Sequence, residues 1–516
     1  MVFKRRKSQS AKSKKEDFSI RVFTSLEKNI ENIQKLLDSP NDLTIRRFAL
    51  GNTMNSCSVI FIDGLVNKKL IHDKIIQNIQ LEIGQQPDDS TESKADLFEV
   101  ISKKVVSVSD VKKATTLDDV SLAILSGDTV FFLDGLAQAL IIGSKSWESR
   151  SIEEPITEAL IRGPRDGFTE NLRTNTVLIR RKIRDPNLRF KEYKIGRRSK
   201  KSLIVAYIDG IVNQDIVKEV KRRLDTIDMD DAPESGYVEQ WIEDSFLSPF
   251  PQIQNTERPD KVTSALLQGK VAIVLDGTPF VLIAPITFGN TLQSPEDYYE
   301  RWMVGTVIRL LRYLAAFIAV FLPSLYIALV SYHPGMIPSK LAFSIAATRE
   351  GVPFPAFIEA LLMAITMELL REAGIRLPKP IGQTIGIVGG LVIGEAAVSA
   401  GIVSPIMVIV VAVTAIASFS IPSYSVAISF RIIRFGFMFA AAIFGLYGII
   451  LCYIMLNIHI ANLKSIGVPY STLFAPSFNG DWKDLILRAP ITMLPKRPRY
   501  MQTEDERRIE KGGSST

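Results

Sequence analysis

The pattern of apolar and polar positions changes character at Arg301. Before it, short apolar runs of strand length alternate with amphipathic stretches; after it, the apolar runs outgrow any strand and carry almost no charge. From Ser25 to Leu37, apolar residues at 26, 30, 33 and 37 make a helical stripe, which Ser39-Pro40 ends. The first strand follows at 58–62, Ser-Val-Ile-Phe-Ile, closed by the turn dipeptide Asp63-Gly64 and followed by a helical pattern through Leu81.

These strand signals occur twice. VIFIDGLVN at 59–67 returns as VAYIDGIVN at 205–213, an offset of 205 − 59 = 146, and LSGDTVFFLDG at 125–135 returns as LQGKVAIVLDG at 267–277, an offset of 267 − 125 = 142. The repeats predict two related α/β subdomains, one within 25–150 and one within 200–290. Residues 1–24 read as a basic disordered tail. Residues 151–199, dense in Arg and Glu and poor in apolar periodicity, read as a connector, either an extended arm or a linker, broken at Gly163-Pro164 and Asp166-Gly167. Asp63, Asp134, Asp209 and Asp276 each precede glycine at a strand end. Such carboxylates can serve acid–base or metal chemistry, but four copies in one local pattern read as tight turns.

Beyond Arg301 the pattern is that of a membrane domain, 301–460. Leu314 to Val330 is uncharged around Pro323, and further spans are expected at 384–403, 404–421 and 435–457; the stretch 354–370, with Glu359 and Glu368, spans, re-enters or lies on the interface. Gly382, Gly386, Gly390 and Gly394 recur every fourth residue and predict a groove for a closely packed neighbouring helix. Directly after them stands Glu395, an ionisable group in an apolar segment. Glu395 and Glu359, which has no base near it in sequence, are the candidates for a pore or gating role, with helix–helix hydrogen bonding the competing structural role; Glu368 has Arg371 three residues on. Arg301, Arg309 and Arg312 put the head on the cytoplasmic side. The hydrophilic tail, 461–516, favours four spans and a cytoplasmic C-terminus, whereas Arg371, Arg376, Lys379, Arg431 and Arg434 favour five. The fold class expected is α+β, a duplicated α/β soluble head followed by a polytopic α-helical membrane domain.

Charge and composition narrow the chemistry. The net charge of +7 over 516 residues is local, since the first fifteen residues hold seven Lys or Arg and no acid. No apolar core follows that basic start, so it is not a secretory signal and the head stays where it is made. A basic tail beside a membrane can touch anionic lipid or nucleic acid; the solvated tail is preferred here and no nucleic-acid partner is expected. Cys57 and Cys452 form no disulfide framework, and His72, His333 and His459 belong to no ligand motif, so no metal or cofactor is expected. No nucleophile–base or phosphate-loop constellation is present, and the GIVGG run sits inside an apolar span. The chain does not read as an enzyme.

Four long stretches carry a resemblance: EPITEALIRGPRDGFTENLRTNTVLIRRKI at 154–183, ERPDKVTSALLQGKVAIVLDGTPFVLIAP at 257–285, PEDYYERW at 295–302, and PSLYIALVSYHPGMIPSKLAFSIAATREGVPFPAFIEALLM at 323–363. In these the chain resembles the A subunit of the GerA-type spore germination receptor, across nearly its whole length. The resemblance implies a multi-pass protein of the spore inner membrane, working with a permease-like B subunit that senses the nutrient and a lipoprotein C subunit. It also implies a homo-oligomeric ion channel opened by the germinant. The same superfamily contains an accessory protein of the dipicolinate-release machinery, which remains an alternative. A secondary transporter is a further alternative, but it calls for repeats in the membrane part, and the duplication found lies in the head.

Overall fold

The computed structural model describes residues 20–38, 40–50, 55–84, 94–102, 110–146, 154–155, 157–377, 389–390, 392–472 and 481–509. The chain divides into two compact units, residues 1–150 with 176–191, and residues 151–175 with 192–516.

In the first unit, β1 (Leu43–Ala49), β2 (Ser56–Ile62), β3 (Val111–Ala114), β4 (Thr129–Leu133) and β5 (Ala139–Ile142) make one sheet in the order β1-β2-β4-β5-β3. All its neighbouring pairs are antiparallel. The central strands are buried on both faces. Cys57, Val59, Phe61, Phe131 and Leu133 enter one core, and Ile60, Ile62, Val130 and Phe132 enter the other, because successive side chains of a strand point to opposite sides. That two-sided burial is why the sequence shows continuous apolar runs here and no alternation. Residues 20–24, expected in the disordered tail, are folded: Val22 is buried beside the Leu26–Leu37 helix, and its N–H donates to the Thr115 carbonyl at 2.9 Å.

The second sheet has the same order, β6-β7-β9-β10-β8, from β6 (Leu188–Ile195), β7 (Lys201–Ile208), β8 (Gln254–Thr256), β9 (Val271–Leu275) and β10 (Val281–Ala284). Corresponding turns match as well. Gly64 and Gly210, Gly127 and Gly269, and Gly135 and Gly277 all adopt positive φ, between 76° and 93°, which a side chain would strain.

The connector expectation is corrected. Within 157–199 the chain carries the Leu172–Lys182 helix and β6, the second copies of the Leu26–Leu37 helix and β1. Periodicity failed to reveal this helix because Asn175, Thr176, Val177, Leu178, Ile179 and Arg180 are all buried, and a helix covered on every side has no polar face. Before it, residues 157–170 do form an arm, tied to the second sheet's surroundings by Phe168 N–H to the Glu257 carbonyl at 2.8 Å and by Glu158 to Lys261 at 2.6 Å.

Among the described residues two helices are long and apolar enough to cross a membrane, Trp302–Tyr332 and Tyr424–Asn462, and Pro405–Phe419 is a shorter apolar one. Around them lie Ser339–Arg349, Ala356–Arg376 and a helical stretch at 392–399. The span expected at 435–457 is not continuous. Gly445 takes φ 59°, ψ −139° and breaks it into two arms. The first arm brings Phe430 to 6.2 Å from Phe250, and the second returns His459 to the same ring, also at 6.2 Å, with Ser248 hydrogen-bonded to His459 Nε2 at 2.8 Å. This is a helical hairpin. At its tip Tyr332 donates to the Ala442 carbonyl, and a Cβ on Gly448 would run into the backbone oxygen of Ala440.

After the hairpin the tail folds back onto the second sheet's subdomain. Phe288 N–H donates to the Tyr470 carbonyl at 2.9 Å, Arg497 Nε to the Leu267 carbonyl at 2.9 Å, and Glu504 N–H to the Ile211 carbonyl at 3.1 Å.

Candidate functional site

In three groups of charged side chains in and beside the helical part, the fold decides the partner. Glu359 is fully buried. It accepts from Arg349 Nη2 at 2.9 Å and from the Ser404 N–H at 2.8 Å, at the start of the Pro405–Phe419 helix. Sequence showed no base near it; the turn between Arg349 and Pro355 brings one ten residues away. Its place is that of a helix-capping carboxylate with its own counter-ion.

Glu368 receives three cations. Arg371 Nη1 approaches at 2.8 Å, Arg431 Nη1 at 2.9 Å and Arg434 Nη2 at 3.0 Å. Sequence reasoning paired it with Arg371 alone and treated Arg431 and Arg434 as topology signals. Their i, i+3 spacing, which puts both on one face of a helix, was the available clue.

The third group joins the helices to the folded tail. Asp297, almost completely buried, holds Arg309 Nε at 3.2 Å and Arg312 Nη1 at 2.6 Å. Arg309 also donates to the Asp484 backbone carbonyl, and Tyr298 donates to Asp484 Oδ1 at 2.9 Å. Burial first, then the neighbouring Asp484, pushes the Tyr298 phenol up; burial likewise raises Asp484 against the opposing pull of Arg309. Arg309 and Arg312 were expected as flanking charges at the membrane edge. They face inward because Met303, Val307, Leu310, Leu314 and Phe317 occupy the exposed side of the same helix.

Next to this node lie two cavities of about 250 and 180 Å³, both lined by Gln268, Asn290, Gln293 and Tyr298. Lys270, 3% exposed, donates to Asn290 Oδ1 at 2.8 Å. Burial, with Lys261 adding to it, pulls its ammonium down to about 7.

Glu395 differs from all of these. It is exposed on the 392–399 helical stretch beside exposed Val392 and Ile393, and has no hydrogen-bond or ion-pair partner among the described residues. Of the expected glycine groove, Gly382 and Gly386 lie outside the described residues. A Cβ at Gly394 would make ordinary contact with Val408 at 3.6 Å, and one at Gly390 would meet nothing within 4 Å. The tight approach is at Gly389, where an added Cβ would come within 2.9 Å of Leu370 Cδ2, and the four-residue spacing passed over it. Pro323 is buried inside the Trp302–Tyr332 helix.

The four Asp-Gly carboxylates do not gather. Asp134 and Asp276 accept from helix-start N–H groups, Asp63 pairs with Lys68 at 2.7 Å and Asp209 accepts from Gln214 at 2.8 Å. Among the described residues no three or more His, Cys, Asp or Glu side chains converge to hold a metal ion. The Cys57 thiol is pushed up to about 12 by burial, which keeps it a thiol.

Comparison with known proteins places these features in a group. Residues 31–500 match the family model described as Bacillus/Clostridium GerA spore germination protein. The chain is 54% identical over 476 residues to spore germination protein GerLA of Bacillus cereus, covering 92% of this chain and 95% of that one. It is 44% identical to the membrane protein YfkQ of Bacillus subtilis (strain 168), over 92% of this chain and 91% of the other. Among solved structures it is similar to the N-terminal domain of the A subunit of the Bacillus megaterium spore germinant receptor GerK3, at 35% identity and a TM-score of 0.42, covering 52% of this chain and 97% of that one.

Proposed function

The chain belongs to the GerA family of Bacillus/Clostridium spore germination proteins, and on that premise we propose that it is the A subunit of a nutrient-responsive germinant receptor. In this reading it is a multi-pass, non-enzymatic protein of the spore inner membrane, with head and tail on the cytoplasmic side. Copies assemble so that their membrane helices enclose an ion path, which opens when a permease-like B subunit, aided by a lipoprotein C subunit, senses the germinant.

One observation carries the reading: Glu395 is exposed on an apolar helical stretch, with no base beside it among the described residues. Against lipid such a carboxylate is costly, by several kcal/mol at the bilayer centre; a second copy or a hydrated path relieves the cost. The open space over Gly390 favours close approach by a neighbouring helix, and the hairpin at Gly445, which returns the tail to the head's second subdomain, favours an even number of crossings.

The test is reconstitution of the purified chain in planar bilayers, alone and with its two partner subunits. Current whose ion selectivity changes in Glu395→Gln supports the channel. Absence of current in every combination removes it. Impermeant thiol labelling of cysteines placed at Ser199 and Thr503 tests the topology separately, and labelling of Thr503→Cys from outside while Ser199→Cys stays protected defeats the shared side.

A further inference from the structure

The three arginines on Glu368 leave a charge unaccounted for. Three guanidinium groups and one carboxylate sum to +2, and no other acid pairs with any of the three among the described residues. The remaining contacts are neutral: Arg371 Nη2 with Ser418 Oγ at 3.5 Å, Arg431 Nε with the Ala427 carbonyl at 3.3 Å, and the rings of Phe419, Tyr424 and Phe435 at 5.1, 5.8 and 5.6 Å. The stretch 378–388, outside the described residues, contains no Asp or Glu. Arg434 is 5% exposed, and both its Nε and that of Arg371 are buried without an acceptor.

Both arginines line a small cavity of about 10 Å³, whose other walls are Pro323, Ala360, Ala364, Met367, Val411, Thr414 and Ala415. A space in which the centre of a water-sized sphere can still move holds one water molecule or one monatomic ion. A phosphate or carboxylate group is too large. Water would supply an acceptor but no charge, and buried cations with orphan donors are stabilised most by an anion that accepts charge-assisted hydrogen bonds.

We propose that this cavity is a binding site for a single monatomic anion of chloride size, held by Arg371 and Arg434 and offsetting one of the two excess positive charges around Glu368. Four helices wall the site, Trp302–Tyr332, Ala356–Arg376, Pro405–Phe419 and the first arm of the hairpin, and the ion links the two that carry Arg371 and Arg434. It stands whether or not the assembled protein conducts.

The experiment is thermal unfolding of the purified full-length chain in lipid nanodiscs at constant ionic strength, with chloride or bromide exchanged for gluconate. Halide is expected to raise the midpoint by roughly 3 °C with a saturating concentration dependence. Arg434→Gln should abolish the shift. Should that variant fail to fold, Ala415→Val keeps every charge and fills the cavity, and it too should abolish the shift. Equal midpoints in chloride and gluconate would mean a water-filled cavity and overturn the site. A halide shift that survives Ala415→Val would locate the ion elsewhere, and a midpoint that follows the anionic-lipid fraction instead of halide would assign the neutralising charge to a lipid headgroup; either result overturns the proposal.

Discussion

Asn29 and Asn175, 175 − 29 = 146 positions apart, make the same pair of hydrogen bonds. Asn29 accepts from the Phe23 N–H at 2.8 Å and donates to the Phe23 carbonyl at 2.7 Å; Asn175 accepts from the Thr169 N–H at 2.8 Å and donates to the Thr169 carbonyl at 2.5 Å. One turn before each, at the first helical residue, the N–H of Leu26 donates to Asp134 and that of Leu172 to Asp276. The duplication thus extends through the helices that precede both sheets. Each asparagine satisfies an entire backbone group that would otherwise be stranded. Asn29→Ala and Asn175→Ala are each expected to cost about 2 kcal/mol, read as a lowered midpoint in denaturant unfolding of the purified chain. An unchanged midpoint for either would show that its backbone partner finds another route.

Among the described residues Asp297 is the only carboxylate paired with both Arg309 and Arg312. Asp297→Asn should therefore remove the carboxylate of Arg312, leave Arg309 with Asp484 alone at 3.7 Å, and destabilise by about 3 kcal/mol. Combining it with Arg312→Gln should return part of the loss, because the groups share one network. Additive losses in that double-mutant cycle would argue that the two residues act independently.

Lys270 sets a pH dependence. Its folded value, about 7, lies below the ordinary 10.5. Between those values the unfolded chain holds a proton that the folded chain has released, so stability rises with pH across the window. Below about 7 both states are protonated and the full burial cost remains. Lys270→Met is expected to stabilise by up to about 4 kcal/mol at pH 6, with the gain fading by pH 10. Midpoints measured at pH 6, 8 and 10 decide it; a gain independent of pH would mean that packing, not charge, was relieved. The amide oxygen of Asn290 keeps the Tyr500 and Thr287 hydroxyls as donors, so the substitution does not orphan it.

The two candidate carboxylates should part company under the same substitution. Glu359→Gln removes the counter-ion of Arg349 and weakens the cap on the Pro405–Phe419 helix, so a loss of about 3 kcal/mol is expected. Glu395→Gln touches no partner among the described residues and should leave the stability of the isolated chain within about 0.5 kcal/mol of the parent. Its expected effect is on ion selectivity in the reconstituted receptor. Equal stability losses would place Glu395 in a structural contact and remove it from the path.

Much of the fold was legible in the sequence because strand signals are local. The VIFIDG and VAYIDG runs and the two LDG turns need only a β-branched core strand and a glycine at positive φ, and both are set by a few adjacent residues. Apolar runs beyond Arg301 announced membrane-type helices for the same reason. The family resemblance was legible too, since it resides in long contiguous stretches.

What local pattern could not supply were partners and breaks. The Leu172–Lys182 helix hid because its surroundings bury every face, and amphipathic periodicity exists only where water touches one side. Arg349 meets Glu359, and Arg431 and Arg434 meet Glu368, across turns whose geometry no spacing rule encodes. The hairpin at Gly445 looked like one span because breaking it costs only the conformation of a glycine, while its benefit lies in what His459 and Phe430 find around Phe250. Glu395 was conspicuous from sequence as a charge among apolar residues. Only the tertiary structure decided that, unlike Glu359 and Glu368, it has no cation beside it among the described residues, because the exposed face of its helix is set by how the neighbouring helices pack.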